Sequence, residues 1–74
     1  MSRPKKRSLT LGGHRTSVTL EDEFWQAFRD IADEKEKGIN ELAAEIDVDR
    51  GVDSGLATAI RLHVLAHYRS RESS

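Results

Sequence analysis

Seven residues, His14 to Leu20 (HRTSVTL), alternate polar and apolar and then run straight into a helical pattern. That strand constrains the chain more than any other feature. Thr16, Val18 and Leu20 share one face and Arg15, Ser17 and Thr19 the other, the period of a half-buried strand rich in β-branched residues. A strand alone in water leaves its edge N–H and C=O groups without protein partners and is a template for another chain. Few other strand-like runs exist here, so the expected closure is two-fold symmetry, the strand pairing antiparallel with its own copy. There is a rival within the chain. SLTL (8–11) precedes Gly12-Gly13, a hairpin signal that would set Thr10 opposite Arg15 and Leu9 opposite Thr16. Leu9 and Leu11 would then join the face of Thr16, Val18 and Leu20. The two arrangements use different edges and can coexist.

From Glu21 the period becomes helical. Phe24, Phe28, Ile31 and Lys35 follow one stripe, widened by Trp25, Ala27 and Ala32. Glu21, Asp22 and Glu23 open this first helix, where its dipole favours negative charge. Gly38 is expected to stop it as a left-handed C-terminal residue. A second helix over about 39–50 carries Ile39, Leu42, Ala43 and Ile46 at spacings of three and four. Gly51 ends it, and Asp53 or Ser54 caps a third helix over about 55–69. Leu56, Ile60, Leu62, Val64, Leu65 and Tyr68 cover most of that helix's circumference, which predicts burial on several sides.

A chain of 74 residues without cysteine has neither disulfides nor thiolate zinc sites to support a marginal core. Oligomerisation is the remedy left, and a homodimer is expected. The expected core of that dimer is Thr16, Val18, Leu20, Phe24, Trp25, Phe28, Ile31, Leu42, Ile46, Ile60 and Val64. No apolar run approaches the roughly 20 residues that span a bilayer, so a cytoplasmic protein without membrane contact is expected. The net charge of −1 hides an asymmetry. Residues 1–20 hold Arg3, Lys5, Lys6, Arg7 and Arg15 and no acid, whereas the remainder is acidic. The expected organisation is a basic flexible arm over 1–13, with a short extra strand at 8–11 allowed, a domain over 14–69 and a disordered tail over 70–74.

HRTSVTLEDEFW, INELAAEID and LATAIRLHVLAHYR, in that order, resemble the ribbon-helix-helix (Arc/MetJ-like) family of DNA-binding proteins, and more narrowly a short proteobacterial group within it. The resemblance implies a mainly α fold, one N-terminal strand and three helices, and a homodimer whose two-stranded ribbon lies in the DNA major groove. It places base reading on Arg15, Ser17 and Thr19, and the chemistry suits them: Arg can bond guanine O6 and N7, and hydroxyls serve any base. It places a phosphate anchor on the N–H groups of Gly38, Ile39 and Asn40 at the start of the second helix. Arg3, Lys5, Lys6 and Arg7 would add sequence-independent phosphate affinity. Acidic Asp47, Asp49 and Asp53 must then point away from the ribbon.

The expected function is therefore sequence-specific binding of double-stranded DNA as a bacterial transcriptional repressor. The alternatives are an antitoxin and a dimeric protein-interaction module with an unidentified protein partner. His63 and His67 stand four apart on the third helix, but no third ligand accompanies them and no metal is expected. DVDRGVD (47–53) fails as a calcium loop, because its glycine is one place early and no Glu closes it. No nucleophile elbow, phosphate-binding loop or HExxH motif is present, so neither an enzyme nor a cofactor is expected.

Overall fold

A computed structural model describes residues 3–50 and 55–72. Two strands, β1 (Lys5–Leu11) and β2 (His14–Leu20), precede three helices, α1 (Asp22–Glu34), α2 (Ile39–Asp49) and α3 (Leu56–Glu72). The strands form an antiparallel hairpin in the register Leu11↔His14, Thr10↔Arg15, Leu9↔Thr16, Ser8↔Ser17, Arg7↔Val18, Lys6↔Thr19 and Lys5↔Leu20.

The expectation of one strand per chain is thereby corrected. Gly12 and Gly13 both take positive φ, 56° and 86°, as a two-residue type I′ turn requires. The turn returns the chain onto itself and buries Leu9, only 2 % exposed, beside Val18 and Leu20. The extra strand starts at Lys5, not at residue 8, so most of the expected arm is part of the sheet. Register and turn type agree with the intrachain alternative.

A second correction concerns the end of α1. Gly38 has φ −73° and ψ 156° and serves as the N-cap of α2. The left-handed residue is Glu36, φ 56°. Lys37 N–H donates to the Ala32 carbonyl at 2.9 Å and Glu36 N–H to that of Asp33 at 3.0 Å, the paired bonds of a Schellman ending. The chain needs two further residues after that turn before α2 can begin, which is why the glycine falls too late to supply it.

The core is formed by Leu9, Val18 and Leu20 from the hairpin, Phe28, Ile31 and Ala32 from α1, Leu42, Ala43 and Ile46 from α2, and Ile60 and Val64 from α3. Phe24, Trp25 and Ile39 are half-buried against it. Of the residues expected in a shared dimer core, all but Thr16, which is half-buried outside this cluster, already close on one another within one chain. α3 hides only one side, leaving Leu62 57 % and Leu65 51 % exposed. It also runs past residue 69 to Glu72, where Arg71 Nη1 reaches the Glu34 carboxylate at 3.1 Å. The expected Gly51 stop and Asp53 or Ser54 cap lie outside the described residues.

Candidate nucleic-acid interface

The hairpin sorts the basic N-terminal residues by parity. On β1, Arg7, Leu9 and Leu11 face the helices and Lys6, Ser8 and Thr10 face away; on β2, Thr16, Val18 and Leu20 face in and Arg15, Ser17 and Thr19 face out. The outer face is therefore Lys6, Ser8 and Thr10 set opposite Thr19, Ser17 and Arg15, all exposed. It carries two cations and no carboxylate on a chain whose net charge is −1. Neither Lys6 nor Arg15 meets an acid among the described residues.

Lys5 and Arg7 behave differently from Lys6. Arg7 bonds Asp22 in the first turn of α1, and its guanidinium lies 5.5 Å from the Trp25 ring centroid. Lys5 Nζ donates to the same carboxylate at 3.2 Å. The Arg7 and Lys5 hydrogen bonds hold the Asp22 carboxyl below its ordinary value of 3.8. These two cations fasten β1 to α1, on the side away from the outer face. Arg3 is exposed just before β1.

The sheet's two edges are secured at opposite ends. In a two-residue hairpin the residues flanking the turn exchange both hydrogen bonds, so Lys6, Ser8, Thr10, Arg15, Ser17 and Thr19 aim their backbone groups at the outer edges. On the β1 edge, Thr10 N–H donates to Asn40 Oδ1 at 2.9 Å, tying the start of α2 to the hairpin. On the β2 edge, Arg61 Nη2 donates to the Thr19 carbonyl at 3.1 Å. The same guanidinium bonds Glu21 Oε1 at 3.0 and 3.1 Å and lies over Phe24. Arg15 and Ser17 make no backbone bond across that edge among the described residues.

Gly38, Ile39 and Asn40 come together as the start of α2, whose N-cap, Gly38, makes no side-chain cap hydrogen bond among the described residues. Its N–H groups keep the anion affinity of a free helix start, although the Asn40 side chain is committed to β1. Lys37, the residue just before this helix start, is bound to Glu45. Asp47 and Asp49 lie roughly 10–14 Å further along α2 than Asn40, taking the usual rise per residue. Asp53 lies outside the described residues.

His63 and His67 do not meet a common third ligand, and no cluster of three metal-ligating side chains occurs among the described residues. His67 Nε2 lies 3.1 Å from Glu34, and His63 Nε2 is buried with no hydrogen-bond partner among the described residues. Burial, helped by Lys35, pushes the His63 ring below its ordinary value of 6.5. No described helix is long and apolar enough to cross a membrane. Sequence reasoning missed the outward row of β1, Lys6, Ser8 and Thr10, as a set. The signal was Gly12-Gly13, which fixes the register that puts them beside Thr19, Ser17 and Arg15.

A strand hairpin with one polar, acid-free face, carried on a three-helix body, defines a small β-ribbon module. Residues 4–68 match the family model described as a ribbon-helix-helix domain, and the chain belongs to that family. Ribbon-helix-helix domains are generally non-enzymatic and bind DNA as dimers, as transcription regulators or antitoxins. No curated protein and no solved structure matches the chain.

Proposed function

We propose that this protein is a homodimeric transcriptional repressor of the bacterial cytoplasm that binds double-stranded DNA sequence-specifically and acts by occluding its site. The observation that carries this reading is the outer hairpin face, where exposed cations and hydroxyls stand without a single carboxylate on an otherwise acidic chain. Arg15, Ser17 and Thr19 read base edges in the major groove. The N–H groups of Gly38, Ile39 and Asn40 hold a flanking phosphate, and Arg3 and Lys6 add sequence-independent attraction.

The dimer forms along the free edge of β2. Antiparallel pairing centred on Ser17 sets Arg15 of one subunit against Thr19 of the other. The Thr19 carbonyl has two lone pairs, so it can accept from Arg61 and from a neighbouring strand together. Leu65 lies one helical turn beyond Arg61, so the exposed apolar flank of α3 begins beside the same edge and is covered by the same association. An antitoxin or protein-interaction role is the second reading. It is favoured by that flank, Leu62, Leu65 and Tyr68, which a different protein could cover instead.

Titration onto mixed genomic fragments at several salt concentrations separates the two. A repressor retains a defined subset of fragments, with affinity falling steeply as salt rises. Retention of no fragment even at low salt would refute DNA binding and leave the protein-interaction reading.

A further inference from the structure

We infer that the outward row of β1, Lys6, Ser8 and Thr10, is a phosphate-contacting flank that straddles the groove walls while β2 reads the bases. The inference rests on the proposed dimer and adds to it a division of labour between the two strands of each hairpin.

Its basis is the register together with the width of the sheet. Pairing along β2 makes a sheet of four strands in the order β1, β2, β2, β1, with both β2 strands next to the two-fold axis. Strands lie about 4.8 Å apart, so each β2 axis falls about 2.4 Å from the two-fold and each β1 axis about 7 Å from it. The major groove is about 12 Å wide, which puts its walls about 6 Å from its centre. The inner strands therefore fit between the walls, and the outer strands sit over the sugar-phosphate backbones.

The residue types follow that geometry. Each β2 side chain facing the groove has a β1 neighbour directly outside it: Thr10 beside Arg15, Ser8 beside Ser17 and Lys6 beside Thr19. The β1 row is one cation and two hydroxyls, groups that bond phosphate oxygens without distinguishing bases. The edge of β1 is also tied to α2 through Thr10 and Asn40, which holds it as the outer strand. Lys5 and Arg7, the other cations of β1, point to the opposite side and are held by Asp22.

The test uses fluorescence anisotropy of the full chain on two duplexes, one recovered by selection from genomic fragments and one shuffled to the same composition, across a salt series. Lys6→Ala is expected to lower the slope of log affinity against log salt by about 0.9 for each phosphate that Lys6 neutralises. The double variant Ser8→Ala/Thr10→Ala is expected to weaken both duplexes several-fold and alike, leaving their affinity ratio unchanged. Arg15→Ala is expected to collapse that ratio, and thermal melting of the Ser8/Thr10 variant should match the parent because both residues are exposed. Wild-type binding with a changed ratio in the Ser8/Thr10 variant would show that β1 reads bases and overturn the assignment. Unchanged affinity in both the Lys6 and the Ser8/Thr10 variants would overturn it too. If the wild type binds neither duplex at any salt, the DNA reading itself fails, and this assignment with it.

Discussion

Arg7 lies over Trp25, its guanidinium carbon 5.5 Å from the ring centroid, while the same group bonds Asp22 at the start of α1. One side chain thus joins the first strand to the first helix by charge and by stacking. A cation over a ring contributes about 0.5–1 kcal/mol, and the buried stem of Arg7 adds packing. Arg7→Ala should therefore lower stability by about 1–2 kcal/mol. Lys6→Ala, one residue away on the outer face, should change it by no more than about 0.5 kcal/mol. Thermal unfolding followed by circular dichroism compares the two; equal melting temperatures would contradict this placement of Arg7.

Leu9 is 2 % exposed among Val18, Leu20 and the helices, which makes β1 part of the core. Truncating a buried leucine to alanine costs about 2–5 kcal/mol. Leu9→Ala should shift the urea midpoint down accordingly. A residue in a mobile arm would leave the midpoint where it is, so this variant tells the hairpin from an arm.

Glu36 holds a left-handed backbone conformation that costs an L-residue roughly 1–2 kcal/mol. Glycine removes that strain but gives back about 0.4–1 kcal/mol through the freer unfolded chain. Glu36→Gly should stabilise the fold by about 0.5–1 kcal/mol net, a rise of a few degrees in melting temperature. Gly38→Ala should have little effect by comparison, because φ there is −73° and an added Cβ meets nothing within 4 Å.

Stability should decline over two pH ranges as the solution is acidified. The His63 ring is depressed below 6.5 chiefly by burial, so the unfolded state binds its proton more readily. That contribution is complete above pH 6.5 and is lost as pH falls through the folded value. Glu21 is held below 4.5 by a hydrogen bond from its own backbone and by Arg61, and Asp22 below 3.8 by Arg7 and then Lys5. Their contribution is complete above those ordinary values and is lost at still lower pH. Denaturant melts across pH should show both declines. His63→Leu should flatten the first and leave the second, and Asp22→Asn should weaken the second.

Much of this was legible along the chain. Alternation over His14–Leu20 named the strand and divided its faces, and the period switch at Glu21 placed α1, because both patterns are local consequences of backbone geometry. The polar set Arg15, Ser17 and Thr19 followed from parity alone. Gly12-Gly13 even fixed the hairpin register, since glycine is the residue that takes two successive positive φ angles without strain.

What sequence could not decide was the competition between partners. An edge of β2 can pair with β1 or with a copy, and both satisfy the same hydrogen bonds. The tertiary structure resolves this for one edge: burying Leu9 and clamping Arg7 between Asp22 and Trp25 joins β1 to the helices. The Arg7 clamp links positions far apart in the chain, beyond any local periodicity. The same clamp turned a run of basic residues into two functions, with Lys5 and Arg7 holding the fold and Lys6 left on the face that the strand presents to solvent.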